Sequence, residues 1–173
     1  MRIIAGRYRS RKLKTLPGLD VRPTPDRLRE ALFNVLTPRI QGAVFLDAYA
    51  GSGSVGIEAL SRGASRVILI EKKAAAIEVI RENLASLSVG KEVSVVRGQA
   101  SVLLANFSAD IAFLDPPYEL EAEYAASLNV LAGTPSELVI AQHASRLTLA
   151  DEYGRLHKTR LLKQGDNSLS FYA

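Results

Sequence analysis

The 173-residue chain is 47% hydrophobic, enough for one well-buried domain and too short for two ordinary ones. It has no cysteine and only two histidines, His143 and His157, so disulfides, thiolate metal sites and a cysteine nucleophile are excluded and no metal centre is expected. The formal charge of +4 is unevenly spread: through Arg29 there are nine basic residues against two acidic, and beyond it thirteen against sixteen.

A polyanion would therefore meet the N-terminal segment first, the alternative being a merely solvated surface arm. The sequence shows no apolar signal-peptide core and no apolar run long enough to span a bilayer, so the expected address is the cytoplasm. A short hairpin is expected over residues 3–13, followed by Arg22-Pro23-Thr24, where Pro23 and Pro25 stiffen an extended strip and leave Arg22 and Arg27 to meet phosphate or to pack on the domain. Asp26 then caps a helix running to about residue 36, with Pro25 before it and Pro38 just beyond its end.

From Val44 onward short β-branched runs alternate with helix-compatible stretches, as in a parallel sheet wrapped by helices. The runs at 44–46, 67–70, 93–96, 111–114 and 138–140 read as buried strands, and those at 54–61, 74–87, 100–105 and 122–131 as helices. After Ala150, residues 156–162 and 168–172 flank Gln164-Gly165-Asp166-Asn167 and read as a terminal antiparallel hairpin. The expected fold is α/β: a mostly parallel seven-stranded sheet finished by that hairpin.

The first strand runs into Asp47-Ala48-Tyr49-Ala50-Gly51-Ser52-Gly53-Ser54-Val55-Gly56. Gly51, Gly53 and Gly56 satisfy the GxGxxG spacing, and Glu71 follows Gly51 by twenty positions, where a carboxylate can accept both hydroxyls of a ribose. That geometry serves NAD and S-adenosylmethionine alike. Asp47 favours the second, because a carboxylate before the glycines suits a cationic amino acid end and has no purpose beside a pyrophosphate. It also reads as a cap of the loop.

The fourth strand leads into Asp115-Pro116-Pro117-Tyr118. Two prolines cannot continue a sheet, so they hold Asp115 and the Pro116 carbonyl in a stiff loop at the carboxyl end of a parallel strand, where open α/β sheets put their sites. An exocyclic base nitrogen is a poor nucleophile whose N–H bonds need fixed acceptors, and Asp115 and the Pro116 carbonyl provide them as positive charge develops in methyl transfer. Tyr118 would stack on the extruded base. A plain proline turn with a core tyrosine is the alternative.

These residues resemble the RsmD-type methyltransferases, which act on a guanine N2 of 16S ribosomal RNA. The likeness spans nearly the whole chain: Met1-Arg2-Ile3-Ile4-Ala5-Gly6, the segment from Arg22-Pro23-Thr24 to Ala31-Leu32-Phe33-Asn34, Ala50-Gly51-Ser52-Gly53 with Glu58-Ala59-Leu60-Ser61-Arg62, and Asp115 to Tyr118. It implies a class I, Rossmann-like fold with S-adenosylmethionine held by Asp47, Gly51, Gly53 and Glu71, their neighbours Ala48 and Lys72 included. Gln99-Ala100 stands where related enzymes place Asp or Asn before a small residue to bind the adenine amine.

The basic segment is then the RNA grip, through Arg7, Arg9, Arg11, Lys12, Arg22, Thr24 and Arg27. Residues 1–38 are expected to form an RNA-binding extension and 39–173 the catalytic domain. The expected partner is 16S RNA in an assembled small-subunit particle, without a membrane, the enzyme being a monomer. Rival readings are a DNA or RNA adenine N6-methyltransferase, which shares the amine chemistry, and an NAD-binding reductase or a non-catalytic RNA-binding module, which leave the proline motif unexplained.

Overall fold

The structure is a computed structural model and describes residues 1–16 and 25–173. In chain order the elements are α1 (Asp26–Ile40), β1 (Val44–Asp47), α2 (Ser54–Ser61), β2 (Arg66–Glu71), α3 (Ala74–Ser86), β3 (Val93–Arg97), α4 (Ala100–Leu103), β4 (Ile111–Leu114), α5 (Glu121–Ala132), β5 (Leu138–Ala144), β6 (Glu152–Tyr153), β7 (Leu156–Gln164) and β8 (Asn167–Tyr172). A single 3-10 turn, Leu104–Asn106, follows α4.

The strands form one sheet in the order β3-β2-β1-β4-β5-β8-β7-β6. β1 to β5 pair in parallel, while β8 is antiparallel to both β5 and β7. Seven strands are those the apolar runs mark. The eighth, β6, is two residues long and pairs only with Leu156 and His157, too short to leave a periodic signal.

Because side chains alternate along a strand, the sheet has two apolar faces. Phe45, Val67, Leu69, Ile111, Phe113 and Ile140 pack beneath α1, α2 and α3. Leu46, Ile68, Ile70, Ala112, Leu114 and Val139 pack with Tyr124, Leu128 and Leu131 of α5. Phe45 and Phe113 are at most 1% exposed, and emptying either site to alanine costs about 3–5 kcal/mol.

α1 differs from expectation at both ends. It continues through Pro38 to Ile40, and its cap is Pro25 with no side-chain bond. Pro38 deprives the helix of one amide, but Leu36 and Ile40 are buried in the core, so tertiary packing overrides the local signal for a stop. Asp26 Oδ1 accepts from Arg29 Nη2 at 3.1 Å and does not cap.

The N-terminal residues fold back as a hairpin with one bridge, Arg2 to Lys12. Ile3 and Leu13 are buried against Ile57 and Leu87. The hairpin is fastened to α2 through its backbone. Glu58, fully buried, accepts from the amides of Ile4 at 2.8 Å and Ala5 at 3.0 Å. Ser61 Oγ accepts from the Tyr8 amide at 3.0 Å and donates to the Ala5 carbonyl at 2.5 Å. Gly6, at φ +82, lies so close that a Cβ there would sit 1.8 Å from the Ser61 carbonyl oxygen.

Arg29 is fully buried and donates to the Arg2 carbonyl at 2.5 Å. It therefore leaves the basic surface that the charge count assigns to the N-terminal segment. Burial lowers its pKa, opposed by the nearby carboxylates of Glu58 and Asp26.

Candidate active site

Strands β2 and β3 lie on one side of β1 and β4 on the other, so the loops leaving β1 and β4 diverge and open a crevice at the carboxyl end of the sheet. The Ala48 amide donates to the Phe113 carbonyl at 2.9 Å, which sets the glycine loop beside the Asp115-Pro116-Pro117-Tyr118 loop. The two motifs that the sequence separates by some sixty residues thus share one crevice.

On the glycine side, Gly53 starts α2 with φ +79, a left-handed conformation that L side chains resist. Gly56 packs on the sheet so tightly that a Cβ would meet Leu69 at 2.3 Å, whereas at Gly51 a Cβ would meet nothing within 4 Å. The space over Gly51 is open. At its edge Glu71 is held by three backbone donors: Oε2 accepts from Gly51 at 2.8 Å, and Oε1 from Lys72 and Lys73 at 2.8 Å each. Lys72 enters through its amide.

Asp47 is 1% exposed, and Oδ2 accepts from the Gly56 amide at 3.1 Å. It caps the first turn of α2, in keeping with the loop-cap alternative. Burial pushes its carboxyl up to about 7, the Gly56 bond opposing and the charge of Glu71 adding to the rise. A cationic group arriving beside it would ionise it.

At the end of β3, Gln99 is exposed and Ala100 buried. Gln99 Nε2 donates to Ser101 Oγ at 3.1 Å and to Glu123 Oε1 at 3.2 Å. The other Glu123 oxygen accepts from the Tyr49 hydroxyl at 2.8 Å, which also lies 2.7 Å from Ser127 Oγ. This network ties the β1 loop, the β3 end and α5 into one wall.

Across the crevice Asp115 is half-buried, Pro116 buried and Pro117 exposed. The Leu120 amide closes a turn on the Pro117 carbonyl at 2.9 Å. Desolvation raises the pKa of the Tyr124 hydroxyl, and the charge of Asp115 adds to it. The Tyr118 hydroxyl donates to Asn167 Oδ1 at 2.5 Å.

The basic residues divide. Arg7 pairs with Glu92 at 3.3 Å and lies over the Tyr8 ring, and Arg11 donates to the Ser86 carbonyl at 2.6 Å. Arg9, Lys12 and Arg27 are exposed and have no ion-pair partner among the described residues. Arg22 and Thr24 lie outside the described residues. His143 is buried, its Nε2 2.8 Å from Ser170 Oγ, and His157 is exposed 3.3 Å from Glu152.

Asn83 escapes the sequence reading. It is 1% exposed; Oδ1 accepts from the Lys14 amide at 2.8 Å, and Nδ2 donates to the Lys14 carbonyl at 3.1 Å and the Ser52 carbonyl at 3.0 Å. One side chain joins the N-terminal segment to the glycine loop. Its signal is a polar residue on the buried stripe of α3, in step with Ala76 and Ile80. Glu58, Ser61, Tyr49, Glu123 and Asn167 likewise reveal their roles only through distant partners.

The crevice fits a cofactor with a ribose and an amino acid end: a fixed carboxylate stands at its rim, a buried carboxyl at its base, and open space over Gly51. Fold and site together define a class I, Rossmann-like methyltransferase. A family model described as Conserved hypothetical protein 95 matches residues 1–173. Haemophilus influenzae Ribosomal RNA small subunit methyltransferase D is 42% identical over 134 residues, which are 74% of this chain and 69% of that protein. The Bacillus subtilis protein YlbH is 34% identical over 181 residues, 99% of this chain and 98% of its own. A solved Escherichia coli structure described as the methyltransferase yhhF superposes with a TM-score of 0.83 at 36% identity, covering 99% of this chain and 96% of that one. The chain belongs to this family, the RsmD-type methyltransferases.

Proposed function

We propose that the protein transfers the methyl group of S-adenosylmethionine to the exocyclic N2 amine of a guanine in 16S ribosomal RNA. The observation that carries this reading is the Ala48–Phe113 bond, which sets the Glu71-bounded glycine loop against the Asp115-Pro116-Pro117-Tyr118 loop at the crevice. The names of the relatives, Ribosomal RNA small subunit methyltransferase D, support the choice of substrate.

Glu71 accepts the ribose hydroxyls, Gly51 and Gly53 admit the cofactor closely, and Asp47 faces the cationic amino acid end directly or through water. Ala48 packs beneath that loop and the Lys72 amide steadies Glu71, and Gln99 and Ala100 border the adenine. Bound there, the cofactor supplies an electrophilic sulfonium methyl. Asp115 and the Pro116 carbonyl accept the N–H bonds of the guanine amine and stabilise the positive charge that grows on it. Pro117 keeps the loop stiff, and Tyr118 stacks on the base.

Residues 1–38 carry the RNA-binding surface of a catalytic domain at 39–173, with α1 running across that boundary to Ile40 and burying Leu28, Leu32, Phe33 and Leu36 in the shared core. Arg9, Lys12 and Arg27 meet phosphate with their charges uncommitted; Arg7 and Arg11 do so by exchanging their present partners, and Arg22 and Thr24 are assigned to the same grip. Because one short basic extension reads little sequence, the substrate is an assembled small-subunit particle in the cytoplasm, and the enzyme acts as a monomer. No helix among the described residues is long and apolar enough to cross a membrane.

The test is Asp115→Ala. Its affinity for S-adenosylhomocysteine stays within about twofold of wild type while turnover on RNA falls by about a hundredfold or more, because the lost contact belongs to the transition state. Unchanged turnover would reject Asp115 as the acceptor.

A further inference from the structure

The catalytic loop ends on Tyr118, whose hydroxyl donates to Asn167 Oδ1 at 2.5 Å across 49 residues of sequence. Asn167 opens β8, is 8% exposed, and pairs in register with Ala144 at the end of β5. The turn before it is fastened a second time. The Ser145 amide donates to the Asp166 carbonyl at 2.8 Å, and Ser145 Oγ donates to the Gly165 carbonyl at 3.0 Å and lies 2.9 Å from Ser168 Oγ. The terminal hairpin is thus a fixed post standing against the loop.

A tyrosine side chain has only two torsions, so an anchor at its hydroxyl and another at its backbone orient the ring. We propose that Asn167 is a positioning residue for base capture, holding the Tyr118 ring ready before RNA arrives. This rests on the reading of Tyr118 as the stacking residue of an RNA methyltransferase. Ring ordering that would otherwise be charged to binding is already done in the free enzyme, and stacking acts on ground and transition states alike, so the effect falls on KM for RNA.

The experiment measures kcat and KM for RNA in Asn167→Ala, Tyr118→Phe, the double variant and Asn167→Asp. Asn167→Ala is expected to raise KM by about two- to tenfold with kcat nearly unchanged, and Tyr118→Phe to raise KM by the same factor, the cost of ordering one side chain on binding. The double variant should be no worse than either single one, since both remove the same bond, and Asn167→Asp, which keeps the acceptor, should recover most of the loss. Additive losses, or a fall in kcat alone with no recovery in Asn167→Asp, would overturn the proposal. A ring-labelled tyrosine NMR spectrum reads the same bond without activity: the Tyr118 resonance, assigned with Tyr118→Phe, shifts and broadens in Asn167→Ala, and an unchanged resonance would overturn it. Wild type that methylates no RNA, with that NMR response intact, would instead reject the assigned reaction and leave the tether standing.

Discussion

The Gly51 amide donates to Glu71 Oε2 at 2.8 Å, so the first glycine of the loop and the carboxylate twenty positions later face each other at the rim of the crevice. Two further amides on Oε1 fix the plane of that carboxylate. A ribose arriving there meets an acceptor already ordered. Glu71→Ala is expected to weaken S-adenosylhomocysteine binding about a hundredfold, two hydrogen bonds to a charged acceptor being worth about 1.5 kcal/mol or more each. Calorimetric titration checks it; a change under about threefold would place the ribose elsewhere.

Asp47 supplies a pH dependence. Its folded pKa is raised to about 7 from 3.8, so between those values the folded state holds more protons than the unfolded one and stability falls as pH rises, the penalty being complete above about 7. Melting wild type and Asp47→Asn at about pH 5 and about pH 8 should show the greater loss in wild type. A cationic ligand end selects the ionised form, so cofactor affinity of wild type should climb with pH and level above about 7, and Asp47→Asn should lack the climb. Parallel profiles for the two proteins would contradict both expectations.

The docking of the N-terminal hairpin depends on a missing side chain at Gly6, where a Cβ would sit 1.8 Å from the Ser61 carbonyl oxygen at a backbone φ of +82. Gly6→Ala must displace the hairpin from α2 and is expected to cost about 1–3 kcal/mol. In a domain of this size that lowers the melting temperature by about 2–10 °C, read by calorimetry. Unaltered melting would mean that the hairpin contributes nothing to stability.

Arg9, Lys12 and Arg27 are the exposed cations to which the RNA grip is assigned. Replacing all three by glutamine should flatten the slope of log affinity against log salt by about 2 to 3, since each lost phosphate contact removes about 0.7 to 0.9 of slope. A filter-binding titration over salt decides, and an unchanged slope would return the segment to solvated surface.

The order of strands and helices was legible because the parallel strands are short apolar runs with Val or Ile in each and the longer helices are stretches containing Ala, Leu and Glu. The placement of Glu71 beside the glycine loop was legible from spacing, because a βαβ unit has a nearly fixed length, but its bond to the Gly51 amide was not. What escaped depends on contacts between remote segments: Asn83 with Lys14 and Ser52, Glu123 with Tyr49 and Gln99, Tyr118 with Asn167. No local pattern announces such pairs. Pro38 and Asp26 misled for a related reason, since burial of Ile40 and an ion pair to Arg29 outweighed the ordinary signals of helix ends.

The most direct measurement is transfer of labelled methyl from S-adenosylmethionine to small ribosomal subunits, naked 16S RNA and duplex DNA, with the product nucleoside identified chromatographically. N2-methylguanosine, formed best in the subunit, is the predicted result. Label found only as N6-methyladenine, or no label in any substrate alongside no binding of the cofactor, would contradict it.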